Sequence, residues 1–347
     1  MRKGFWLLIF FILGAVLFYF TLRGVGIEGV VSILSMIRAW QTLLAIFILF
    51  TGIVIIGGYK WWMIIHLNKK EDAKLSRVMI AKFIGYSISY VTPSSLVGGE
   101  PAKVLYLKEE TKLSTSRIIS SIILDEIILF FLIIMVFFMG IFFLLIYMHL
   151  SWLAEIIGLG LMAGAISAIL LIICKTRKMA SGKGLFKTFA ERFYLNKLKI
   201  IKQNMGALDE IERDIIKFFR RPKKELIEIF ILAIMELSAL LLAAWLILAF
   251  LGVRLDITRL FVVRSMTDVS GFFPLPASLG TLEISQAFVF VGLGMDSAVG
   301  VAFSLIWRGL NLIMAACGLI VFMFIQFGFL KKRIIVFIET LTDKIKK

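Results

Sequence analysis

Five long, nearly uncharged runs constrain this chain more than any other feature: 5–20, 43–59, 127–148, 152–174 and 229–251. A helix needs about 20 predominantly apolar residues to cross the hydrocarbon core of a bilayer, and several of these runs reach that length. Hydrophobic residues make up 60% of the chain and the mean hydropathy is +0.97, whereas water-soluble domains sit nearer half apolar. The fold class read from the sequence is therefore an all-α polytopic membrane protein. No stretch of the 347 residues is long and polar enough for a second, catalytic domain.

Charge adds direction. The formal net charge is +16, and residues 175–224 alone carry fifteen Lys or Arg against five acids. Basic loops of this kind stay on the cytoplasmic side and attract anionic lipid head groups. No nucleic-acid-binding motif accompanies the charge, so a nucleic-acid partner is not expected. Met1-Arg2-Lys3 precedes the first apolar run without a following small-residue cleavage site, which reads as an uncleaved span with a cytoplasmic N-terminus. Cys174 and Cys317 lie in or at apolar segments, and His66 and His149 sit at segment ends without metal-ligand spacing. Neither a disulfide framework nor a metal or cofactor is expected.

From that anchor, six full spans are expected at about 5–21, 43–65, 118–148, 152–174, 226–251 and 298–329. Within the basic loop, Leu208, Ile211, Ile215 and Phe218 recur at helical spacing, so part of it reads as amphipathic helix. Residues 331–347 form a basic cytoplasmic tail, most simply a solvated or surface-lying helix. Two further apolar regions, 79–107 and 260–294, are broken by Pro, Ser and Gly. Basic residues flank the first region on both sides, and each half is short for a span. Re-entrant hairpins are the economical solution.

The two broken segments align. Pro93, Ser95, Leu96 and Glu100 match Pro276, Ser278, Leu279 and Glu283 at a common offset of 183 residues, which also relates the starts of flanking spans at 43 and 226 and at 118 and 301. The unit of span, broken hairpin and long span thus occurs twice, at about 43–148 and about 226–329. The first hairpin enters from inside and the second from outside, the arrangement of an inverted-topology repeat. Non-helical backbone at membrane depth survives only where it is buried in protein or lines a wet cavity.

Gly98-Gly99 and Gly280 permit tight turns, Pro101 suits the first helical position, and Thr281 is a plausible N-cap. Each turn would aim backbone N–H groups at the positive end of a half-helix into the cavity, where phosphate or carboxylate is held well. Glu100 and Glu283 beside these ends either pair with a substrate cation or cap their own helices. Asp125 and Glu126 fall inside the third span, and Ser114, Arg117, Ser121 and Asp125 share one helical face. Arg308 and Asn311 form a polar stripe with Ser304 in the last span, and Arg308 lies 183 residues after Asp125. An Asp125–Arg308 gating pair or ligand clamp is one reading, a static interhelical salt bridge the other. Arg264, Asp268 and Glu236 are secondary candidates.

These residues resemble the transmembrane, flippase-like region of lysylphosphatidylglycerol synthases and its stand-alone relatives. The matching features are Pro93 with Gly98-Gly99-Glu100 and Lys103, then Pro274-Leu275-Pro276 with Gly280 and Glu283, and Arg308 in the last span. The resemblance spans roughly 5–330 and implies a domain that moves a lipid, in some members an aminoacylated phosphatidylglycerol, between leaflets. Two departures stand out: Ala277-Ser278 replaces the usual Gly-Gly of the late motif, and Asp125-Glu126 replaces an acidic–arginine pair. The soluble aminoacyl-transferase domain of the full synthases has no counterpart here, so synthase activity is not expected.

The function expected is translocation of a phospholipid or other lipid-linked head group between leaflets of the plasma membrane, with both termini cytoplasmic. Membrane lipids, anionic or aminoacylated phospholipid among them, are the expected partners, and a homo-oligomer is left open. Pro93, Ser95, Gly98, Gly99, Glu100, Asp125, Glu126, Pro276, Ser278, Gly280, Glu283, Arg308 and Asn311 are the candidate translocation residues. A proton- or ion-coupled solute carrier would use the same architecture. An intramembrane lipid-modifying enzyme would need a nucleophile or a metal-binding carboxylate cluster, for which Asp125-Glu126 is thin support.

Overall fold

The computed structural model describes residues 37–66, 73–92, 98–147, 205–273 and 275–345, with isolated positions elsewhere, and helix is the only regular structure among them. In chain order the helices are α1 (Ala39–His66), α2 (Leu75–Val91), α3 (Glu100–Glu110), α4 (Thr115–Tyr147), α5 (Met205–Phe219), α6 (Lys223–Phe250), α7 (Ile257–Phe272), α8 (Thr281–Gly292) and α9 (Ser297–Ile345). Helices α1, α4, α6 and the Ser297–Gln326 part of α9 are long and apolar enough to cross a membrane. They correspond to the second, third, fifth and sixth expected spans. The expected first and fourth spans, Pro93 and Ser95, and residues 175–204 of the basic loop lie outside the described residues.

Between helices in lipid there is little hydrophobic drive, so close backbone approach at small residues carries much of the packing. Helix α1 meets α6 in this way. A Cβ on Gly52 would lie 2.6 Å from the Ala239 Cβ, and one on Gly57 would lie 2.5 Å from Glu236 Oε1. Between these glycines, Thr51–Ile56 widens into a π-helical segment. Such a widening inserts a residue into the turn and rotates everything that follows it. Lys60 is thereby turned inward and is fully buried.

Helices α2 and α3 pack against each other as a hairpin. The contact is tightest where Gly99 meets the carbonyl of Gly85, and the aliphatic stem of Lys103 lies over Gly85 as well. Glu100 opens α3 after an N-cap at Gly99, and Pro101 is its second residue, one place later than expected. Proline is tolerated there because first-turn N–H groups have no intrahelical partner.

The amphipathic helix expected in the basic loop is α5, with Ile211 and Phe218 buried. Phe218 joins Ile64, Leu124 and Ile229 in a small apolar cluster. Asp214 faces Arg117 at 3.4 Å and accepts a hydrogen bond from the Ser120 hydroxyl at 3.3 Å, which fixes α5 against the start of α4.

Asp256 caps α7 by accepting the Arg259 N–H at 2.8 Å. A 3-10 turn, Pro276–Ser278, then leads to α8. Thr281 is not the N-cap expected from sequence. Gly280, at φ +81°, takes that position, and the Thr281 hydroxyl instead donates to the Ser278 carbonyl at 3.1 Å. Helix α9 runs unbroken for 49 residues and carries the basic tail as helix as far as Ile345.

The hairpins pack on the long helices both between and within the two units. Helix α2 lies against α9, α7 against α4, and α8 against α9. The main apolar core gathers residues such as Leu248, Val262, Phe290 and Phe303.

Candidate functional site

Four helices contribute one charge each to a closed cluster. Lys60 of α1 lies 3.0 Å from Asp125 of α4 and 2.7 Å from Glu236 of α6, and Lys82 of α2 lies 2.5 Å from Asp125 and 3.8 Å from Glu236. All four are buried. An ionised group this deep is tolerated only when paired, and two ammonium groups against two carboxylates balance. Asp125 is therefore neutralised within the protein. It pairs with Lys60 and Lys82, not with Arg308, so the sequence-based Asp125–Arg308 pair is wrong.

Arg308 instead clasps the second turn. Its guanidinium pairs with the Glu283 carboxylate, one N–O distance being 2.6 Å, and donates to the carbonyls of Ala277 and Ser278 at 3.1 Å each. Glu283 also accepts the Gly280 N–H at 2.9 Å. Glu283 is thus fully buried and committed, a cap and counter-ion in one. In the first turn, the Gly99 N–H is likewise used internally, donating to the Ser89 hydroxyl at 2.9 Å. The backbone donors expected to greet a ligand at these two positions are satisfied by the chain itself.

What remains accessible is a cavity of about 320 Å³ lined by residues of α1, α2, α3, α4, α6, α7, α8, α9 and the second turn. On one side Lys103 bridges Glu100 at 2.9 Å and Glu126 at 3.0 Å, its ammonium 5.7 Å from the centre of the Trp61 ring. On another, Arg264 pairs with Asp268 at 2.5 Å, its guanidinium 5.6 Å from the Trp307 ring centre. Tyr86 donates to Asn311, which donates in turn to the Trp307 carbonyl at 2.6 Å. Ala277 and Ser278 add the turn, and Lys82 and Glu236 link the wall to the buried cluster. Phe130 and Phe272 also line the cavity, in edge-to-face contact with 6.3 Å between centroids, and they are 42% and 47% exposed.

The expected residues thus fall into groups. Glu100, Glu126, Ser278 and Asn311 line the cavity. Asp125, Glu283 and Arg308 are built into the scaffold behind it, and Gly98, Gly99, Pro276 and Gly280 shape the turns. Sequence reasoning passed over Lys60, Lys82, Tyr86 and Trp307. A lone lysine inside the otherwise uncharged run 78–91 was a usable signal for Lys82. Among the described residues, no three His, Cys, Asp or Glu side chains are grouped to hold a metal ion.

A family model described as the lysylphosphatidylglycerol synthase TM region matches residues 6–318. The chain belongs to this family. A curated relative, the UPF0104 membrane protein PH1989 of Pyrococcus horikoshii, is 23% identical over 305 residues, covering 86% of this chain and 90% of its own.

The second turn holds two non-glycine residues in left-handed backbone, Ala277 at φ 50° and Ser278 at φ 51°. Left-handed backbone is free to glycine and costs other residues on the order of 1–2 kcal/mol. The two Arg308 hydrogen bonds to these carbonyls hold the turn in place against that cost. We expect Ala277→Gly with Ser278→Gly to stabilise the purified protein by about 1 kcal/mol, read as a raised midpoint of unfolding in detergent. A lowered midpoint would show that the turn is not strained.

Proposed function

We propose that this protein translocates a lipid head group between leaflets through the cavity, the acyl chains remaining in the bilayer. The carrying observation is the cavity's split character. Its buried wall holds three cations and the carboxylates of Glu100, Glu236 and Asp268, while its edge presents the exposed rings of Phe130 and Phe272 beside Glu126. A polar interior with an apolar, exposed edge matches an amphipathic ligand entering sideways. A small-solute carrier would instead need that edge sealed against lipid.

The packing between units supports an inverted repeat. Helix α2 leans on the last helix of the second unit and α7 on the last helix of the first, while α3 and α8 pack on the last helices of their own units. Two such units can rock about a shared cavity and expose it alternately to each side. In this reading both hairpins are re-entrant, six spans cross the plasma membrane, the termini and the basic loop are cytoplasmic, and the protein is a transporter with no synthase activity. Membrane phospholipids are its partners.

The test is to plug the cavity. Gly271 lines it, and a Cβ built there meets nothing within 4 Å. Gly271→Trp should fold normally, yet slow exchange of a labelled phospholipid in proteoliposomes at least about tenfold, a barrier increase of about 1.4 kcal/mol. Gly206→Trp on α5, which is equally open, should exchange like wild type. Unaltered exchange in Gly271→Trp would mean that the lipid does not pass this way.

A further inference from the structure

We infer that the cavity selects phospholipid head groups carrying O–H or N–H donors and discriminates against quaternary ammonium head groups. This rests on the lipid-translocation reading and names its substrate class. It starts from three polar atoms. The Arg264 side chain is only 7% exposed and Asp268 only 11%. Their mutual pair uses the Arg264 Nη2 and Asp268 Oδ1, and it leaves Arg264 Nε and Asp268 Oδ2 buried with no hydrogen-bond partner among the described residues. Glu100 is similar: Oε1 accepts from Lys103, while Oε2 is buried with no partner among the described residues. All three residues line the one cavity.

One uncommitted donor and two uncommitted acceptors define what fits. The Arg264 N–H suits a phosphate oxygen, since hydrogen bonds from guanidinium to phosphate are among the strongest available. Asp268 Oδ2 and Glu100 Oε2 need donors, which the hydroxyls of a glycerol or the ammonium of an ethanolamine supply. A choline head group carries the same positive charge as ethanolamine but no N–H at all. On entering the cavity it offers neither carboxylate oxygen a hydrogen bond, so both stay unsatisfied. Sites built to hydrogen-bond a ligand reject analogues that lack the matching group more sharply than apolar pockets reject a missing methylene. Ethanolamine against choline therefore isolates hydrogen bonding from charge.

The experiment uses the full chain in detergent, with ethanolamine-, glycerol- and choline-headed phospholipids of identical acyl chains, and reads retained lipid by native mass spectrometry. Ethanolamine and glycerol lipids should bind at least about tenfold more tightly than choline lipid. Asp268→Asn with Glu100→Gln puts amides where the two acceptors stand and should bring the three lipids to near-equal retention. Glu100→Gln alone, on the more accessible wall, should narrow the preference several-fold and serves if the double variant fails to fold. Equal retention of ethanolamine and choline lipids by wild type overturns the inference, as does a preference undiminished in both variants. Selective retention without leaflet exchange would sink the translocation reading and leave this one standing. Exchange in proteoliposomes that ignores the head group would do the reverse.

Discussion

Lys60→Met should destabilise the folded protein by about 3–5 kcal/mol, the range for removing one partner from a buried ion pair. The side chain is fully buried and contacts both Asp125 and Glu236. Its loss leaves two buried carboxylates facing Lys82 alone. The expected result is a large drop in the unfolding midpoint in mixed micelles. A second substitution separates charge balance from packing. Lys60→Met with Glu236→Met removes one charge of each sign, and Lys82 and Asp125 remain as a matched pair at 2.5 Å. The double variant should recover most of the loss, because replacing a buried pair by apolar side chains of similar volume is often neutral. A double variant as unstable as the single would show that Lys60 matters through its stem and not its charge.

Gly99→Ala should cost about 3 kcal/mol, the upper end of the overpacking range. The methyl group would overlap the Gly85 carbonyl, which is backbone and cannot rotate away. Helix α3 would have to lift from α2. It would take with it the Gly99–Ser89 hydrogen bond and the seat of Lys103 over Gly85. Because Lys103 holds Glu100 and Glu126, the cavity wall would open along with the hairpin. Thermal unfolding measures the first effect, and faster thiol labelling at Glu126→Cys measures the second. Gly309→Ala is the control: this helical glycine has open space around it, so alanine should be neutral or mildly stabilising.

The legible part of this protein was whatever depends on one helix at a time. Apolar runs located α1, α4, α6 and the first part of α9, and helical spacing located α5. The polar face of Arg117, Ser121 and Asp125 was readable too. In the structure Ser121 accepts the Trp61 indole N–H at 3.0 Å and Arg117 donates to the Ile65 carbonyl at 3.1 Å. Partner choice was not readable. Whether Asp125 meets Arg308 or two lysines depends on which helices become neighbours. Lys60 was hidden for a further reason. The π-helical segment at Thr51–Ile56 breaks the 3.6-residue period just ahead of it, so spacing from the apolar run gives the wrong face. The shared motif singled out Glu100 and Glu283, but it could not show that Glu283 is sealed under Arg308 while Glu100 lines the cavity.

The unbroken course of α9 carries its own mechanical consequence. At 1.5 Å per residue its 49 residues extend about 74 Å, far beyond a hydrocarbon core of about 30 Å. Arg308 and Asn311 sit near one end, and Ile345 lies about 55 Å further along the same rod. A tilt of about 5° pivoting at Arg308 would sweep the far end through about 5 Å, by the geometry of a straight rod. A spectroscopic label near Ile345 would then act as the pointer of a gauge whose fulcrum touches the second turn.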